Sequence, residues 1–367
     1  MLAKVPLSYI PIDSTAVKRV LDSYEGRSHE TIISDFEKEL SSFTKAKCVV
    51  ALNSGTAAIH LALRAVGVGS NDEVLVSTFT YVATVNPILY LKANPIFIDV
   101  EKQSWNMDPE LLEVAIKSRL SIGAKPKAIL VVHTYGMPAM MDEIMKISLR
   151  YEIPVVEDAA EALGSRIGGK YVGTFGKIGI LSFNNNKILT TYGGGAILTD
   201  DADLAQKIAF WAGQSRESRV YYEHKELGYN YRMGPMNAAV GLSKISNLET
   251  EISQRRRCFD EYQQLFSKRG FQFQVEGPDF FSNRWLTVAS LTSALQRDSI
   301  SKRLDSQGIE TRFAWNPMHK QPLFRDYDYF TENEVSEMLF SKSICLPFFV
   351  KQKESIAGEI ADIIGYN

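Results

Sequence analysis

In this chain of 367 residues the sharpest chemical signal is Lys187, in the run Leu181-Ser182-Phe183-Asn184-Asn185-Asn186-Lys187-Ile188-Leu189-Thr190-Thr191-Tyr192-Gly193-Gly194-Gly195-Ala196. The lysine closes an apolar strand pattern, follows three amides and precedes a Thr-Thr and triple-glycine turn. A lysine in such a place is ordinarily solvated. Three glycines beside a buried strand suggest instead that backbone is kept close to a ligand. An enclosed lysine amine is pushed toward neutrality and becomes a nucleophile, which suits Schiff-base chemistry. Ser182 stands five residues earlier, near enough for its hydroxyl to serve the same ligand's anion.

Two other segments carry candidate chemistry. Asn53-Ser54-Gly55-Thr56-Ala57-Ala58 follows the apolar Val49-Val50-Ala51-Leu52. With Ser54 as N-cap, the Gly55 and Thr56 N–H groups stand free at a helix N-terminus, where the dipole suits a phosphate. Taken alone, this segment reads better as an ordinary capped helix, and it is no Walker loop, because no Gly-Lys-Ser/Thr follows. Gly67-Val68-Gly69-Ser70 reads as a helix stop, since a strand pattern follows it. The second segment, Val155-Val156-Glu157-Asp158-Ala159-Ala160-Glu161-Ala162, ends an apolar strand in two carboxylates with a third close behind. Open α/β sheets bind ligands at such strand ends. Asp158 suits a metal, a general base or a protonated ring nitrogen, and capping of the next segment accounts for it equally well. A metal would want more ligands at related spacing, and His29, His60, His133, His224 and His319 are scattered.

Together the pieces ask for one cofactor. Pyridoxal 5′-phosphate needs a lysine for its aldehyde, an acid for its ring nitrogen, an anion site for its phosphate and an aromatic face for its ring. The chain offers Lys187, Asp158, the Gly55 and Thr56 amides with Ser182, and Tyr81 in Ser77-Thr78-Phe79-Thr80-Tyr81-Val82-Ala83-Thr84.

Positioning such groups requires a scaffold, and the composition permits one. Length argues for about two domains. Hydrophobic residues at 45% and charged residues at 23% are ordinary for a globular chain, and a net charge of −2 gives no footprint for nucleic acid. The triplet Arg255-Arg256-Arg257 has acidic neighbours and reads as a solvated helix face. No apolar run approaches the ~18 residues that span a bilayer. The first eleven residues, broken by Pro6 and Pro11, lack the apolar run of a secretory leader. Cys48, Cys258 and Cys345 are odd in number and far apart, which signals neither a disulfide framework nor a zinc site and suits the cytoplasm.

Strand patterns run over Lys47 to Leu52, Glu73 to Ser77, Pro95 to Val100, Ala128 to His133, Pro154 to Asp158, Gly179 to Phe183 and Gly195 to Thr199. They lack strict alternation, as strands buried on both faces do. Helix patterns separate them at Thr56 to Val66, Tyr81 to Leu91, Asp108 to Lys117, Met141 to Tyr151 and Ala202 to Trp211. This predicts an α/β domain on a mostly parallel seven-stranded sheet, over 1–240 and including an N-terminal arm. Met236 to Phe266 reads as one long helix with a break. Trp285 to Leu291 and Glu310 to Trp315 follow as strands, with helices at Ser299 to Gln307, Glu334 to Ser343 and Glu354 to Ile364. These predict a smaller α+β domain over 241–367.

Over nearly its whole length the chain resembles the DegT/StrS group of sugar-nucleotide aminotransferases, which have the fold type I pyridoxal phosphate architecture. The resemblance is carried by Asn53 to Ala58, Ser77 to Tyr81, Glu157 to Ala162, Ser182 to Lys187, and Gly228-Tyr-Asn-Tyr-Arg-Met233. Gly308 to Arg312, Trp315 to His319 and Cys345-Leu-Pro347 also fit it. It implies that Lys187 forms the Schiff base, Asp158 pairs with the ring nitrogen, Tyr81 stacks on the ring, and Gly55, Thr56 and Ser182 hold the phosphate. It further implies that Asn230 reaches the phosphate of a neighbouring subunit, so that a homodimer shares its sites, and that Trp315 and His319 face the sugar-nucleotide pocket. Gln214 to Glu226 resembles the segment that borders this pocket in members acting on acetamido sugars, and a plain polar loop accounts for it as well. Two departures stand out. The Glu of the Gly-Glu-Gly-Gly found after the lysine in many members is absent. Glu161, close to the cofactor, stands where Gln or His is common, and must be protonated or turned toward the lysine amine.

The reaction implied is transamination from L-glutamate to a nucleoside-diphosphate 4-keto-6-deoxyhexose, with a UDP-linked 2-acetamido sugar as the preferred acceptor and polysaccharide precursors as the product class. Two rivals stand beside it. A pyridoxamine-dependent sugar dehydratase of the same group would carry His in place of Lys187. A non-catalytic regulator on the same fold would have no use for the joint presence of Lys187, Asp158 and Ser182.

Overall fold

The computed structural model describes residues 5–8, 11, 13–348, 350–351 and 354–365; part of the N-terminal stretch read for a leader lies outside these. All seven predicted strands of the large sheet are present, each end within two residues of its expected place. Their order across the sheet is Cys48–Leu52, Gly195–Thr199, Ile178–Ser182, Val155–Asp158, Ala128–Val132, Glu73–Ser77 and Asn94–Ile98. Only Gly195–Thr199 runs against its neighbours. Consequently the carboxyl ends of the other six strands share one edge, which is where crossover geometry leaves room for a ligand.

Alternate residues along these strands feed two apolar layers. Ala51, Leu75, Ile129, Val155 and Leu181 pack on one face, and Val50, Val76, Leu130, Val156 and Ile180 on the other. That two-sided burial is why the strands read as continuous apolar runs. The helix predicted at Thr56 to Val66 is Gly55–Ala65, started by Ser54, whose Oγ accepts the Ala57 N–H at 3.1 Å.

Several elements depart from the sequence reading. The helices Ser14–Ser23 and His29–Thr44 were not anticipated. The second buries Ile32, Ile33, Phe36 and Leu40 in a helical stripe. An eighth strand, Tyr329–Phe330, pairs in parallel with Asn94–Ile98 and brings a segment from beyond residue 241 into the large sheet. The long helix read with a break over Met236 to Phe266 does have one, at Ser246 and Asn247, between Pro235–Ile245 and Leu248–Phe266. The expected division at 240/241 falls inside the first of these. Ser293 caps the next helix five residues early, giving Ala294–Ser306. The strand expected at Glu310 to Trp315 shortens to Arg312–Phe313, and Trp285 to Leu291 to Thr287–Ser290. The last helix is Ala357–Ile363, because Glu354–Ser355 pairs instead with Val350–Lys351.

The smaller sheet is antiparallel, ordered Gln272–Phe273, Thr287–Ser290, Ser343–Leu346 and Arg312–Phe313. It carries its own core of Phe259, Tyr262, Phe266, Leu304, Ile344 and Ile360.

Phe36 ties the unanticipated helix to the ligand edge. It is fully buried, packs edge-on against Phe183 with centroids 5.4 Å apart, and fills the space a Cβ on Gly241 would take. Phe36→Ala is expected to cost about 3–5 kcal/mol in urea unfolding, and to loosen Ser182, the neighbour of Phe183.

Candidate active site

Strand ends and loops converge on a cleft of about 540 Å³ lined by Ser54, Gly55, Thr56, Tyr81, Asp158, Glu161, Ser182 and Lys187 among others. Each arrives for a local reason. Asp158 and Ser182 are the last residues of their strands, and Gly55 and Thr56 begin the helix after Cys48–Leu52. Tyr81 is the N-cap residue of Val82–Tyr90.

The Gly55 end of the cleft is a cradle for an anion. In the first helical turn Ala57 N–H is bonded to Ser54 Oγ and Ala58 N–H to Ser54 O, while the N–H groups of Gly55 and Thr56, ahead of them, have no intrahelical acceptor. A Cβ on Gly55 would lie 3.0 Å from Ser182 Cβ, and one on Gly195 2.6 Å from Gly55 N. The glycines thus let three chain segments close around one point. In the triple-glycine turn, Gly195 lies against the chain at Ser54 and Gly55.

Adjacent carboxylates have opposite fates because successive side chains leave a strand on opposite faces. Glu157 is fully buried and saturated. It accepts the N–H groups of Gly173, Phe175 and Gly176, and pairs with His133 Nε2 at 3.0 Å. Asp158 faces the cleft, with Oδ2 accepting the Thr84 hydroxyl at 2.7 Å and Oδ1 the Ala160 N–H at 3.1 Å. Burial raises its pKa, against those hydrogen bonds and the Lys187 charge. A protonated ring nitrogen beside it would pull that pKa back down.

Lys187 is held with only 12% of its side chain exposed. Its Nζ lies 3.7 Å from Glu161 Oε1 and 4.0 Å from the centre of the Trp285 ring. Burial lowers its pKa, opposed by Glu161 and Asp158. The same burial raises the Glu161 carboxyl to about 7. Glu161 is turned toward the amine, and burial also shifts it toward the protonated form, so both alternatives that the sequence posed have support.

Aromatic rings wall the cleft. Tyr81 is 54% exposed and sits 5.4 Å from Trp315, which stacks on Tyr135 at 5.6 Å. Tyr135 in turn stacks on Trp285 at 6.5 Å. A second hollow of about 450 Å³, lined by Thr80, Tyr81, Val82, Trp315, Met318 and Phe324 among others, shares Tyr81 and Trp315 with the cleft.

Two expected residues stand apart from it. His319 is pinned between Thr78 Oγ1 at 2.7 Å and Glu337 at 3.0 Å, with its ring stacked 3.6 Å from Tyr329, and does not line the cleft. Asn230 does not line the cleft but is exposed beside it, its carbonyl accepting at 3.0 Å from Nδ2 of Asn53, which does line it. Sequence reasoning missed Thr84, Tyr135, Asn186 and Trp285. Thr84 had a findable signal, lying one helical turn after Thr80, whose hydroxyl it meets at 2.7 Å. Trp285 had none: it comes from a distant segment, and its Nε1–H holds Asn186 O at 2.8 Å. Among the described residues no three His, Cys, Asp or Glu side chains are grouped as a metal would require, and no helix is long and apolar enough to cross a membrane.

A model of the DegT/DnrJ/EryC1/StrS aminotransferase family matches residues 12–364. The chain is 42% identical over 337 residues to EpsN of Bacillus subtilis (strain 168), whose name places it with pyridoxal phosphate-dependent aminotransferases; the match covers 91% of this chain and 87% of that one. It is 34% identical to the GDP-perosamine synthase of Escherichia coli O157:H7, with 94% of both covered. A DegT DnrJ EryC1 StrS aminotransferase from Brucella abortus superposes with a TM-score of 0.87 at 29% identity, over 96% of this chain and 94% of that structure.

Proposed function

We propose a substrate pair and a set of residue roles for this chain, which belongs to the DegT/DnrJ/EryC1/StrS aminotransferase family. It is a pyridoxal 5′-phosphate-dependent aminotransferase of nucleotide sugars. The amino donor is L-glutamate and the acceptor a nucleoside-diphosphate 4-keto-6-deoxyhexose. The observation that carries this is the convergence of half-buried Lys187 and buried Asp158 with the Gly55, Thr56 and Ser182 cradle in one cleft.

The residues fit the cofactor. The cradle has free N–H groups and close-approach glycine where a phosphate belongs, and Asp158 offers a buried carboxylate to a ring nitrogen. Bound there, the cofactor supplies an aldehyde that condenses with amines and a ring that withdraws electrons. With the cofactor bound, Lys187 Nζ would hold its aldehyde and, when free, would move the proton off the donor's α-carbon. Asp158 holds the ring-nitrogen proton. Gly55, Thr56 and Ser182 hold the phosphate, and Tyr81 covers the ring. Trp315 borders the acceptor's place, and the adjoining hollow supports an acceptor larger than an amino acid.

A homodimer completes the site in this reading, with Asn230 serving the partner's phosphate; the exposure of Asn230 supports this. Three free thiols support a cytoplasmic setting, and glycan or polysaccharide precursor synthesis is the use we assign. Of the nucleotides, UDP with a 2-acetamido sugar rests on the Gln214 to Glu226 resemblance. A GDP-linked acceptor is the second reading, favoured by the relative named GDP-perosamine synthase.

The test is the visible spectrum of the purified protein before and after L-glutamate, followed by amination assays with UDP- and GDP-linked keto sugars. A yellow band that glutamate bleaches is expected. A colourless protein that takes up no added pyridoxal phosphate overturns the reading, and deoxygenation of a keto sugar in place of amination would establish the dehydratase. Gly55→Ala presses a methyl group against Ser182 and is expected to weaken cofactor binding about tenfold in a titration of the stripped protein.

A further inference from the structure

We infer that Thr84 is a positioning residue for Asp158: its hydroxyl, backed by that of Thr80, holds the carboxylate charged and in one orientation for the ring nitrogen. This rests on the proposed function and gives a role to two side chains that the reaction scheme above leaves unused.

The local sequence places both hydroxyls. Thr80 and Thr84 stand four residues apart around the N-terminus of the Val82–Tyr90 helix, so they share one face and meet at 2.7 Å. Both are only 2% exposed, whereas Tyr81, between them in sequence, is largely open to the cleft. The destination of the Thr84 proton is unusual for a threonine in a helix. The ordinary acceptor is the carbonyl four residues back, and elsewhere in this chain Thr44 Oγ1 does donate to Leu40 O at 2.7 Å. Thr84 is as well buried as Thr44, but its hydroxyl donates to Asp158 Oδ2 at 2.7 Å, 74 residues along the chain.

A carboxylate only accepts, and a hydroxyl has one proton to give. With the Thr84 proton on Oδ2, the bond between the two threonines runs from Thr80 to Thr84. The result is a directional chain, Thr80 to Thr84 to Asp158, in which each link polarises the next. The other oxygen, Oδ1, accepts the Ala160 N–H at 3.1 Å. With a donor on each oxygen the carboxylate cannot rotate without breaking a bond, and its remaining lone pairs keep fixed directions. Both donors favour the charged form, against the burial that penalises it. The other ionisable groups around Asp158 are engaged elsewhere. Lys187 Nζ and Glu161 lie against each other, and His133 is held by Glu157 and the Ala139 N–H. The Ala160 bond belongs to the backbone, so the Thr84 hydroxyl is the donor that a substitution removes.

The experiment compares the wild type with Thr84→Val, Thr84→Ser and Thr80→Val, with thermal unfolding of each cofactor-free protein as a check on folding. Valine keeps the shape of threonine without the hydroxyl, and serine keeps the hydroxyl. Two quantities are read: pyridoxal phosphate affinity by titration of the stripped protein, and the rate at which rising L-glutamate bleaches the visible band. Thr84→Val is expected to take up the cofactor with about threefold weaker affinity. Its limiting bleaching rate is expected to fall about tenfold, with the half-saturating glutamate concentration within about twofold of wild type. Thr84→Ser is expected to keep wild-type values of both, which a role in packing alone would not give. Thr80→Val leaves the Thr84–Asp158 bond but removes the donor behind it, and is expected to move both quantities the same way by a smaller factor. Thr84→Val that matches the wild type in either quantity, or Thr84→Ser that is no better than Thr84→Val, overturns the inference while the cofactor assignment stands. If Thr84→Val does not fold, Thr80→Val at the wild-type bleaching rate overturns it instead. A wild type that shows no visible band with added cofactor overturns the proposed function and this inference with it.

Discussion

Lys187→Ala is expected to yield a folded, colourless protein whose glutamate-dependent turnover falls by at least about 10³-fold. The size follows from the loss of two roles at one atom, the nucleophile and the mobile proton carrier. No neighbour can substitute, since Glu161 and Asp158 are acids without a nucleophilic nitrogen and Trp285 offers only its ring face. The fold is expected to survive. Removing one member of a buried ion pair ordinarily strands the other charge, but Glu161, raised to about 7, answers by taking a proton. A change in unfolding free energy of about 1 kcal/mol or less is expected. The visible spectrum and a urea melt on one preparation check both halves. Wild-type activity in Lys187→Ala would sink the enzyme reading and bring forward the regulator.

How far the sequence led depended on the range of the interaction involved. The seven strands were readable because each is a local apolar run buried on both faces. Lys187, Asp158, Ser182 and Gly55 were readable because each stands where such a run ends. Glu161 was readable as an anomaly, and the structure supplies its partner. The His29–Thr44 helix escaped because its stripe is diluted by charged and serine residues, although Ser28 caps it. Tyr329–Phe330, Trp285 and Asn283 escaped for a different reason. They reach the large sheet or the cleft from far along the chain, and nothing in their neighbours' types announces it. His319 is a different case. A histidine in a family-like motif invites a ligand role, yet Thr78 and Glu337 take its two ring nitrogens, and burial lowers its pKa.

Asp158→Asn separates the carboxylate's charge from its shape. The amide can keep an acceptor for Thr84 or for the Ala160 N–H, and Lys187 and the Gly55, Thr56 and Ser182 cradle are untouched. Cofactor uptake and the visible band are therefore expected to persist. The rate at which glutamate bleaches that band is expected to fall by about 10²–10³-fold, the usual cost of losing one preorganised charged partner at a developing charge. Stability moves the other way. Burial raises the folded-state pKa of Asp158, so at neutral pH its ionised form is less favourable in the folded chain than in the unfolded one. Neutralising the residue removes that penalty, and the cofactor-free variant is expected to melt at or above the wild-type temperature. A slow enzyme that is no less stable marks a carboxylate kept for chemistry. A variant that bleaches at the wild-type rate, or one that unfolds early, would return Asp158 to the role of a cap on the Ala159–Ala160 turn.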